Sequence, residues 1–192
     1  QLSNPSRLLH SQFLLTLLIV IFIFALTTQK SNAQQSGGEG RQIRLDYNQA
    51  TGKLNTMFKE CIGAGRANEG LRADWQQQLA MVKKECDFKY IRMHGLLTDD
   101  MGVYKEDKNG KPEYNYQYID VLYDFILSIG MKPFVELGFM PSALASGPQT
   151  IFWWRGNVTP PRKNKKWEAL IRNLTQHWTE RYGEKEVKSW YF

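Results

Sequence analysis

Cysteine is scarce in this sequence, which has only Cys61 and Cys86 among its 192 residues. Neither has a neighbouring histidine or the spacing of a metal-ligand motif, so no zinc site or other metal site is predicted. Both fall in apolar patterns, Cys61 in a predicted strand and Cys86 at the end of a predicted helix. We therefore expect two buried thiols, and a disulfide between them is the alternative.

An excess of charge of one sign is also lacking. Lysine and arginine outnumber aspartate and glutamate by only 25 to 19. The basic residues cluster only at 162–166, with no nucleic-acid-binding motif beside them, so nucleic acid is not a predicted partner. That basic run is interpreted as a solvated surface, with an acidic glycan as the alternative partner. The composition, 42% hydrophobic and 23% charged, excludes a disordered chain, collagen and a coiled coil.

A run of apolar residues near the N-terminus, 13–26, is too short for a stable membrane anchor. As a helix it would span about 21 Å, against a hydrocarbon core of roughly 30 Å. The small residues Ser31 and Ala33 follow it, at the positions that signal peptidase reads. Residues 1–33 are therefore predicted to be a secretory signal peptide cleaved after Ala33, and the protein is expected to be secreted. Residues 34–60 are predicted to be an irregular leader.

Strand and helix patterns alternate along residues 61–192. Apolar residues at helical spacing predict helices at 71–86, 119–129 and 167–182, the last two ended by Gly130 and Gly183. Four apolar segments are predicted strands: 60–67, 88–93, 132–137 and 187–192. Strands separated by helices form a parallel sheet with right-handed crossovers, so the predicted fold class is α/β.

Two α/β architectures fit this order, an open doubly wound sheet and a closed (β/α)8 TIM barrel. The open sheet typically carries a G-x-G-x-x-G phosphate fingerprint, but Asn68 stands where the third glycine belongs. The loops after the second and third strands are long and those after the helices are short, as in a barrel whose active site lies at the carboxyl ends of the strands. A barrel needs eight strands and roughly 250 residues. We therefore expect residues 61–192 to be the truncated N-terminal half of a TIM barrel, with about the first four strands and three helices.

Side chains at the ends of two predicted strands indicate a site. Residues two apart on a strand point the same way, so Arg92 and His94 share a face, and Glu136 lies on the next strand. An unpaired charge inside a barrel costs several kcal/mol, so Arg92 and Glu136 are expected to form a structural ion pair beneath the site. His94 stands at the tip of its strand, where a ligand binds, and is a candidate for substrate contact.

The two long loops supply further candidates. Asp99 and Asp100 resemble a carboxylate pair for acid–base chemistry, but adjacent loop residues rarely converge on one point, so a role in loop structure is favoured. Phe139, Trp154 and Asn157 follow the third strand, where an aromatic ring can stack on a sugar and an amide can bind its hydroxyls. Packing of these aromatic rings over the barrel rim is equally consistent with the sequence.

Three segments resemble glycoside hydrolase family 39, which contains the β-xylosidases and the related α-L-iduronidases. They are residues 88–104 (FKYIRMHGLLTDDMGVY), 132–141 (KPFVELGFMP) and 156–161 (GNVTPP). The segments follow one another in the family's order. The Phe-Met-Pro and Asn-Val-Thr-Pro-Pro sequences are closer to the xylosidase branch than to the iduronidase branch.

This resemblance implies a TIM barrel that hydrolyses glycosidic bonds with retention, without metal or cofactor. Its acid/base and its nucleophile are two carboxyl groups about 5–5.5 Å apart. In the family the acid/base lies in a Glu-X-Trp-Asn-Glu-Pro motif after the fourth strand and the nucleophile lies near the seventh, so both are expected beyond Phe192, and residues 1–192 alone are predicted to be inactive. The expected substrate is a xyloside or related glycoside. A secreted, noncatalytic glycan-binding or partner-binding relative is the alternative.

The resemblance also implies roles for individual residues. His94 is expected to contact a hydroxyl of the reacting sugar, and Phe139 to form part of the wall of the same subsite. Four more residues match family positions and are expected to bind substrate in roles that the sequence leaves open: Asp99, Asp100, Trp154 and Asn157. The identity of the sugar, the oligomeric state and glycosylation of the Asn173 sequon are open as well.

Overall fold

Short strands and helices alternate along the chain in the computed structural model, which describes residues 43–50 and 52–192. Residues Gly52–Phe192 form one compact unit. The strands are β1 (Cys61–Arg66), β2 (Tyr90–His94), β3 (Tyr104–Glu106), β4 (Pro112–Tyr114), β5 (Lys132–Phe134), β6 (Thr150–Ile151) and β7 (Gly156–Asn157). The α-helices are α1 (Ala73–Cys86), α2 (Gln117–Ser128), α3 (Asn164–Tyr182) and α4 (Glu184–Val187). The predicted signal peptide, residues 1–33, and the start of the predicted leader lie outside the described residues.

A parallel sheet in the order β1-β2-β5 forms the centre of this unit. In its register, Ile91 of β2 lies between Ile62 of β1 and Pro133 of β5. The chain passes through α1 between β1 and β2, and through α2 between β2 and β5, as parallel neighbours require. The α/β class and three of the four predicted strands are thus confirmed.

The fourth predicted strand, residues 187–192, is wrong over most of its length. Residues Glu184–Val187 form the short helix α4, and only Tyr191 makes a parallel bridge, to Phe134 of β5. The apolar pattern has another cause, because Trp190 is buried (4% exposed) against aromatic side chains of the helices. Strand β5 is also shorter than predicted, since it ends at Phe134.

The buried core joins the sheet to the three long helices. Its members include Leu79 of α1, Ile91 of β2, Ile119, Leu122 and Ile126 of α2, and Leu170, Leu174 and Trp178 of α3. The α3 residues recur at the predicted helical spacing, so the apolar stripe of this helix faces the core. Among residues 43–50 and 52–192, no helix combines the length and the apolar character needed to cross a membrane.

A polar link fastens the β3–β4 hairpin to the start of α3. The Lys166 ammonium donates to Glu106 Oε1 and to the Gly110 carbonyl, both at 2.7 Å. Hydrogen bonds from Lys166 and Tyr104 hold the pKa of the Glu106 carboxyl below its usual range. Because the pKa is lowered in the folded state, the link stabilises the fold above the ordinary carboxyl pKa of about 4.3 and is lost as pH falls through the lowered value. The basic run at 162–166 is therefore not wholly solvated.

The two cysteines are free thiols in different environments. Cys61 is half-buried in β1, and burial raises the pKa of its thiol. Cys86 is exposed, so the expectation of two buried thiols is wrong for this residue. It is the last residue of α1, whose final turn extends beyond the core, with Glu85 and Asp87 also exposed.

Replacing Trp178 tests the aromatic core behind the sheet. This ring is fully buried, with its centroid 5.6 Å from that of Tyr123, and its Nε1–H has no hydrogen-bond partner in the described part of the chain. We expect Trp178→Ala to lower the free energy of unfolding by about 3–5 kcal/mol. Trp178→Phe keeps an aromatic ring and removes the unpaired N–H, so it should cost much less. Urea denaturation measures both, and equal losses would contradict this account.

Candidate active site

The carboxyl ends of three parallel strands meet at one edge of the sheet. Strand β1 ends at Arg66, β2 ends at His94, and the chain leaves β5 through Glu136. The register pairs Arg66 with His94 directly. Side chains from these ends, together with the loops that follow β2 and β5, form a candidate active site.

One glutamate links the ends of β2 and β5. Glu136 Oε1 lies 2.5 Å from Arg92 Nη2, so the predicted ion pair is present. The other carboxylate oxygen of Glu136 lies 3.1 Å from His94 Nδ1. Because a carboxylate accepts hydrogen bonds, this contact places the proton of the neutral imidazole on Nδ1 and leaves Nε2 as an acceptor for a ligand hydroxyl.

Three rings beside His94, here called the aromatic wall, are those of Phe139, Phe152 and Trp154. Phe152 stacks on Trp154, and Phe139 meets Trp154 edge-on, with centroids 5.3 Å apart in both pairs. The imidazole centroid of His94 is 6.1 Å from Phe152 and 6.5 Å from Phe139. The imidazole therefore packs beside the wall, whose aromatic rings can pack against the apolar face of a sugar.

The wall depends on a tight hairpin, β6–β7, that the sequence does not predict. The strands pair antiparallel and residues 152–155 connect them. Phe152 and Arg155 have φ angles of 63° and 59°, left-handed values that are uncommon for residues other than glycine. This turn carries Phe152 to the wall. Sequence reasoning missed Phe152. The only sequence feature that pointed to this residue was the run of three aromatic residues at 152–154.

Arg66 is a second residue that sequence reasoning missed. Its guanidinium lies 5.1 Å from the ring centroid of Trp154 and 5.5 Å from that of Trp153, and it forms an ion pair with Asp100. The Arg66 side chain is only 14% exposed, whereas Trp153 is 85% exposed, so the contact with Trp154 is better shielded from water than the contact with Trp153. Arg66 thereby ties the end of β1 to both long loops. Its position as the last residue of a strand was the available signal.

Asp99 and Asp100 hold the loop after β2 in place by separate contacts. Asp99 Oδ1 accepts the N–H of Ser142 at 2.9 Å. Asp100 Oδ1 accepts the Thr98 hydroxyl at 2.7 Å, and its other oxygen pairs with Arg66. Both aspartates therefore stabilise loop structure, which is the role that the sequence favours over a catalytic carboxylate pair. Contact of either carboxylate with substrate stays a prediction.

Asn157 uses its amide to shape the loop after β5. The residue is buried, its Nδ2 donates to the Gly147 carbonyl at 2.9 Å, and its Oδ1 accepts the Thr159 hydroxyl at 2.7 Å. The Thr159 N–H donates to the same oxygen at 2.9 Å. The predicted hydrogen bond from Asn157 to a sugar stays a prediction.

The predicted substrate-binding residues occupy two adjoining places. His94 lies beside the aromatic wall, and Phe139 is part of that wall. A cleft of about 740 Å³ is lined by the other four: Asp99, Asp100, Trp154 and Asn157. Trp154 belongs to both places, because its ring is part of the wall. In the part of the chain that the structure describes, no three His, Cys, Asp or Glu side chains are grouped as metal ligands.

Comparison with known proteins identifies the family of this chain. The family model described as "Glycosyl hydrolases family 39" matches residues 41–192. The chain belongs to glycosyl hydrolase family 39. The match begins before β1 and includes every strand and helix of the described structure.

Two curated relatives of this family 39 chain are β-xylosidases. The β-xylosidase of Caldicellulosiruptor saccharolyticus is 44% identical over 151 residues, which are 79% of this chain and 31% of that protein. The β-xylosidase of Geobacillus stearothermophilus is 47% identical over 143 residues, which are 73% of this chain and 28% of that protein. The chain thus spans less than a third of the length of these relatives.

A solved structure supports the family 39 fold directly. The crystal structure of a monomeric β-xylosidase from Caulobacter crescentus CB15 has a TM-score of 0.69 to this chain at 40% sequence identity. The likeness covers 77% of this chain and 30% of that one. The predicted fold is therefore confirmed as part of the family 39 TIM barrel, of which β1, β2 and β5 are consecutive parallel strands.

Gly156 provides a test of the packing of the wall. A β-carbon at this position would lie 2.7 Å from Trp154 Cζ3 and 2.9 Å from Phe139 Cδ2. Gly156→Ala is therefore expected to displace the wall and to lower the free energy of unfolding by about 1–3 kcal/mol. Near-UV circular dichroism and urea denaturation measure these effects. Gly63→Ala is the control, because no described residue other than Gly63 and its two neighbours in sequence comes within 4 Å of the added β-carbon. Equal effects in the two variants would exclude a local clash.

Proposed function

We propose that the protein hydrolyses β-xylosides with retention of configuration at the anomeric carbon. The observation that carries this proposal is His94, which Glu136 orients at the end of a barrel strand beside the aromatic wall. In TIM-barrel enzymes the active site lies at this end of the strands. The two curated relatives, both named β-xylosidases, support xylose as the sugar.

The reacting xylose is proposed to bind against both His94 and the aromatic wall. His94 Nε2 accepts a hydrogen bond from a sugar hydroxyl, because Nδ1 is engaged by Glu136 at 3.1 Å. Phe139 and Phe152 pack against the C–H face of the sugar ring. The ion pair of Glu136 with Arg92 holds the carboxylate before substrate arrives, so the imidazole is already oriented when the sugar binds.

The two catalytic carboxyl groups are proposed to follow Phe192 in the complete gene product. Retaining hydrolysis needs an acid/base and a nucleophile about 5–5.5 Å apart across the scissile bond. The family resemblance assigns the acid/base to an Asn-Glu-Pro sequence just after the fourth strand. Tyr191 supports this placement, because it bridges Phe134 of β5 where the next parallel strand belongs. Without these groups no glycosyl-enzyme intermediate forms, so residues 1–192 alone should give no turnover.

The proposal is tested by incubating the complete gene product with 4-nitrophenyl β-D-xyloside. We expect release of nitrophenol, and we expect its loss when the glutamate of the Asn-Glu-Pro sequence is changed to glutamine. Xylose binding without turnover by the unaltered protein would instead support a noncatalytic glycan-binding relative.

The same assay tests His94. Loss of its hydrogen bond to the reacting sugar in His94→Ala should lower kcat/KM by about 10- to 100-fold. His177→Ala is the matched control, because His177 Nε2 also meets a carboxylate, 2.6 Å from Asp120 Oδ1, but between α2 and α3. The control should keep the kcat/KM of the folded protein. Equal losses in the two variants would overturn the assignment of His94.

Export of the protein is also proposed. The apolar run at 13–26, followed by Ser31 and Ala33, supports a signal peptide. The mature protein should then begin with Gln34-Gln35-Ser36-Gly37-Gly38, with Gln34 free or cyclised to pyroglutamate, when its N-terminal peptide is identified by mass spectrometry. A mature chain that retains residues 13–26 would contradict this processing.

A further inference from the structure

The guanidinium of Arg66 contacts two different parts of the candidate site. It forms an ion pair with Asp100, in the loop after β2, and Nη2 lies 3.3 Å from Asn68 Oδ1. Its central carbon also lies 5.1 Å from the ring centroid of Trp154, a member of the aromatic wall. One charged group at the end of β1 therefore meets a carboxylate of one loop and an indole of another.

Arg66 lies behind the surface that a ligand would meet. Its side chain is 14% exposed and does not line the cleft, whereas Asp100 and Trp154 both line it. A shielded charge is costly unless it is paired, and here the ion pair with Asp100 offsets that cost. Arg66 can therefore influence a bound ligand through the two residues that it holds.

We propose that Arg66 is a positioning residue for the reacting sugar, because it holds the Trp154 ring of the aromatic wall in the orientation that the sugar packs against. The proposal rests on the proposed function, since it takes the wall as the surface that meets the reacting xylose. It goes further in assigning to a residue of β1 an effect on sugar binding that passes through Trp154.

The contact with Arg66 differs in kind from the aromatic contacts of Trp154. The rings of Phe139 and Phe152 each have a centroid 5.3 Å from that of Trp154, and both belong to the loop after β5. Arg66 is the last residue of β1 and is paired in the sheet register with His94. Its contact therefore fixes the indole relative to the strands, whereas the two phenylalanine contacts fix it within its own loop.

The ion pair also reaches the backbone beside His94. Asp100 Oδ1 lies 2.7 Å from the Thr98 hydroxyl, which lies 2.6 Å from the Gly95 carbonyl. This hydroxyl has one proton, so it donates to one of the two acceptors at a time. Gly95 follows His94 directly, and a β-carbon added to it would lie 3.4 Å from the Trp154 ring. The loop that Arg66 holds through Asp100 thus packs against the same indole.

Arg66→Lys in the complete gene product separates charge from positioning. Lysine keeps the positive charge beside Asp100, but its compact, strongly hydrated ammonium group lacks the flat face that a guanidinium presents to a ring. We expect kcat/KM for 4-nitrophenyl β-D-xyloside to fall about three- to thirtyfold. The wall packs against the sugar before the reaction as well as during it, so the loss should appear in KM and leave kcat nearly unchanged.

Arg181→Lys is the matched control. Arg181 makes the same two kinds of contact away from the site, an ion pair with Asp124 and a contact of 5.6 Å with the ring centroid of Tyr182. These residues belong to α2 and α3. The control should keep the KM and the kcat of the unaltered protein. An equal rise in KM in the two variants would contradict a specific effect of Arg66.

A double-mutant cycle tests whether the effect passes through Trp154. Trp154→Leu removes the ring, and in that background Arg66→Lys should lower kcat/KM less than about twofold. If Trp154→Leu does not fold, Trp154→Phe replaces it, because phenylalanine attracts a cation less strongly than tryptophan, and the loss should again be smaller than in the unaltered protein. The same loss with and without the indole would overturn the proposal.

Failure of the proposed function can be told apart from failure of this assignment. Nitrophenol release by the unaltered protein reports the proposed function, whereas the comparison of variants reports Arg66. If no nitrophenol is released, isothermal titration with xylose tests Arg66 instead. Binding that is weakened by Arg66→Lys and retained in Arg181→Lys supports the assignment, and equal binding in the two variants or no binding to the unaltered protein contradicts it.

Discussion

The parallel register of β1, β2 and β5 is the constraint on which the site depends. It places Arg92 beside Phe134 and His94 beside Arg66, although these residues come from distant parts of the chain. Glu136 then forms an ion pair with Arg92 through one carboxylate oxygen and contacts His94 Nδ1 through the other. The arginine balances the charge of the glutamate, and the glutamate sets which imidazole nitrogen faces a ligand. A single carboxylate thus connects the sheet beneath the candidate site to the imidazole of His94.

Packing among the rings of the aromatic wall offsets backbone strain in the turn that carries Phe152. A left-handed φ at Phe152 costs roughly 1–2 kcal/mol. Each aromatic pair contributes about 0.5–1.5 kcal/mol beyond burial, and Phe152 makes such contacts with Phe139 and Trp154. The cation–π contacts of Arg66 add about 0.5–2 kcal/mol from a largely shielded position. These contributions are comparable in size, so the hairpin keeps its shape only while the cluster stays packed.

Regular elements were predictable from sequence where two signals agreed. Helix α3 combines an apolar stripe at helical spacing with a glycine stop, Gly183, and its end matches the prediction. The segment 187–192 has an apolar pattern alone, and such a pattern does not distinguish a strand from a turn packed beneath aromatic helices. The β6–β7 hairpin was not predicted, because its sequence lacks the usual signal of a turn. The left-handed positions of its turn are occupied by Phe152 and Arg155, whereas asparagine or glycine usually occupies such positions.

In the candidate site, the residues at strand ends were predictable from sequence and the contacts of the loop residues were not. Side chains at strand ends, such as His94 and Glu136, were predictable because parallel topology alone brings them to one edge. Side-chain direction in the loops depends on local hydrogen bonds, and the engagement of Asn157 with Thr159 and Gly147 has no counterpart in the sequence pattern. The imidazole of His94 is therefore fixed by the sheet, whereas the aromatic wall and the lining of the cleft are fixed by loops. Since TIM-barrel loops can vary without disturbing the strands, the loop surfaces beside His94 can change while the orientation of its imidazole is preserved.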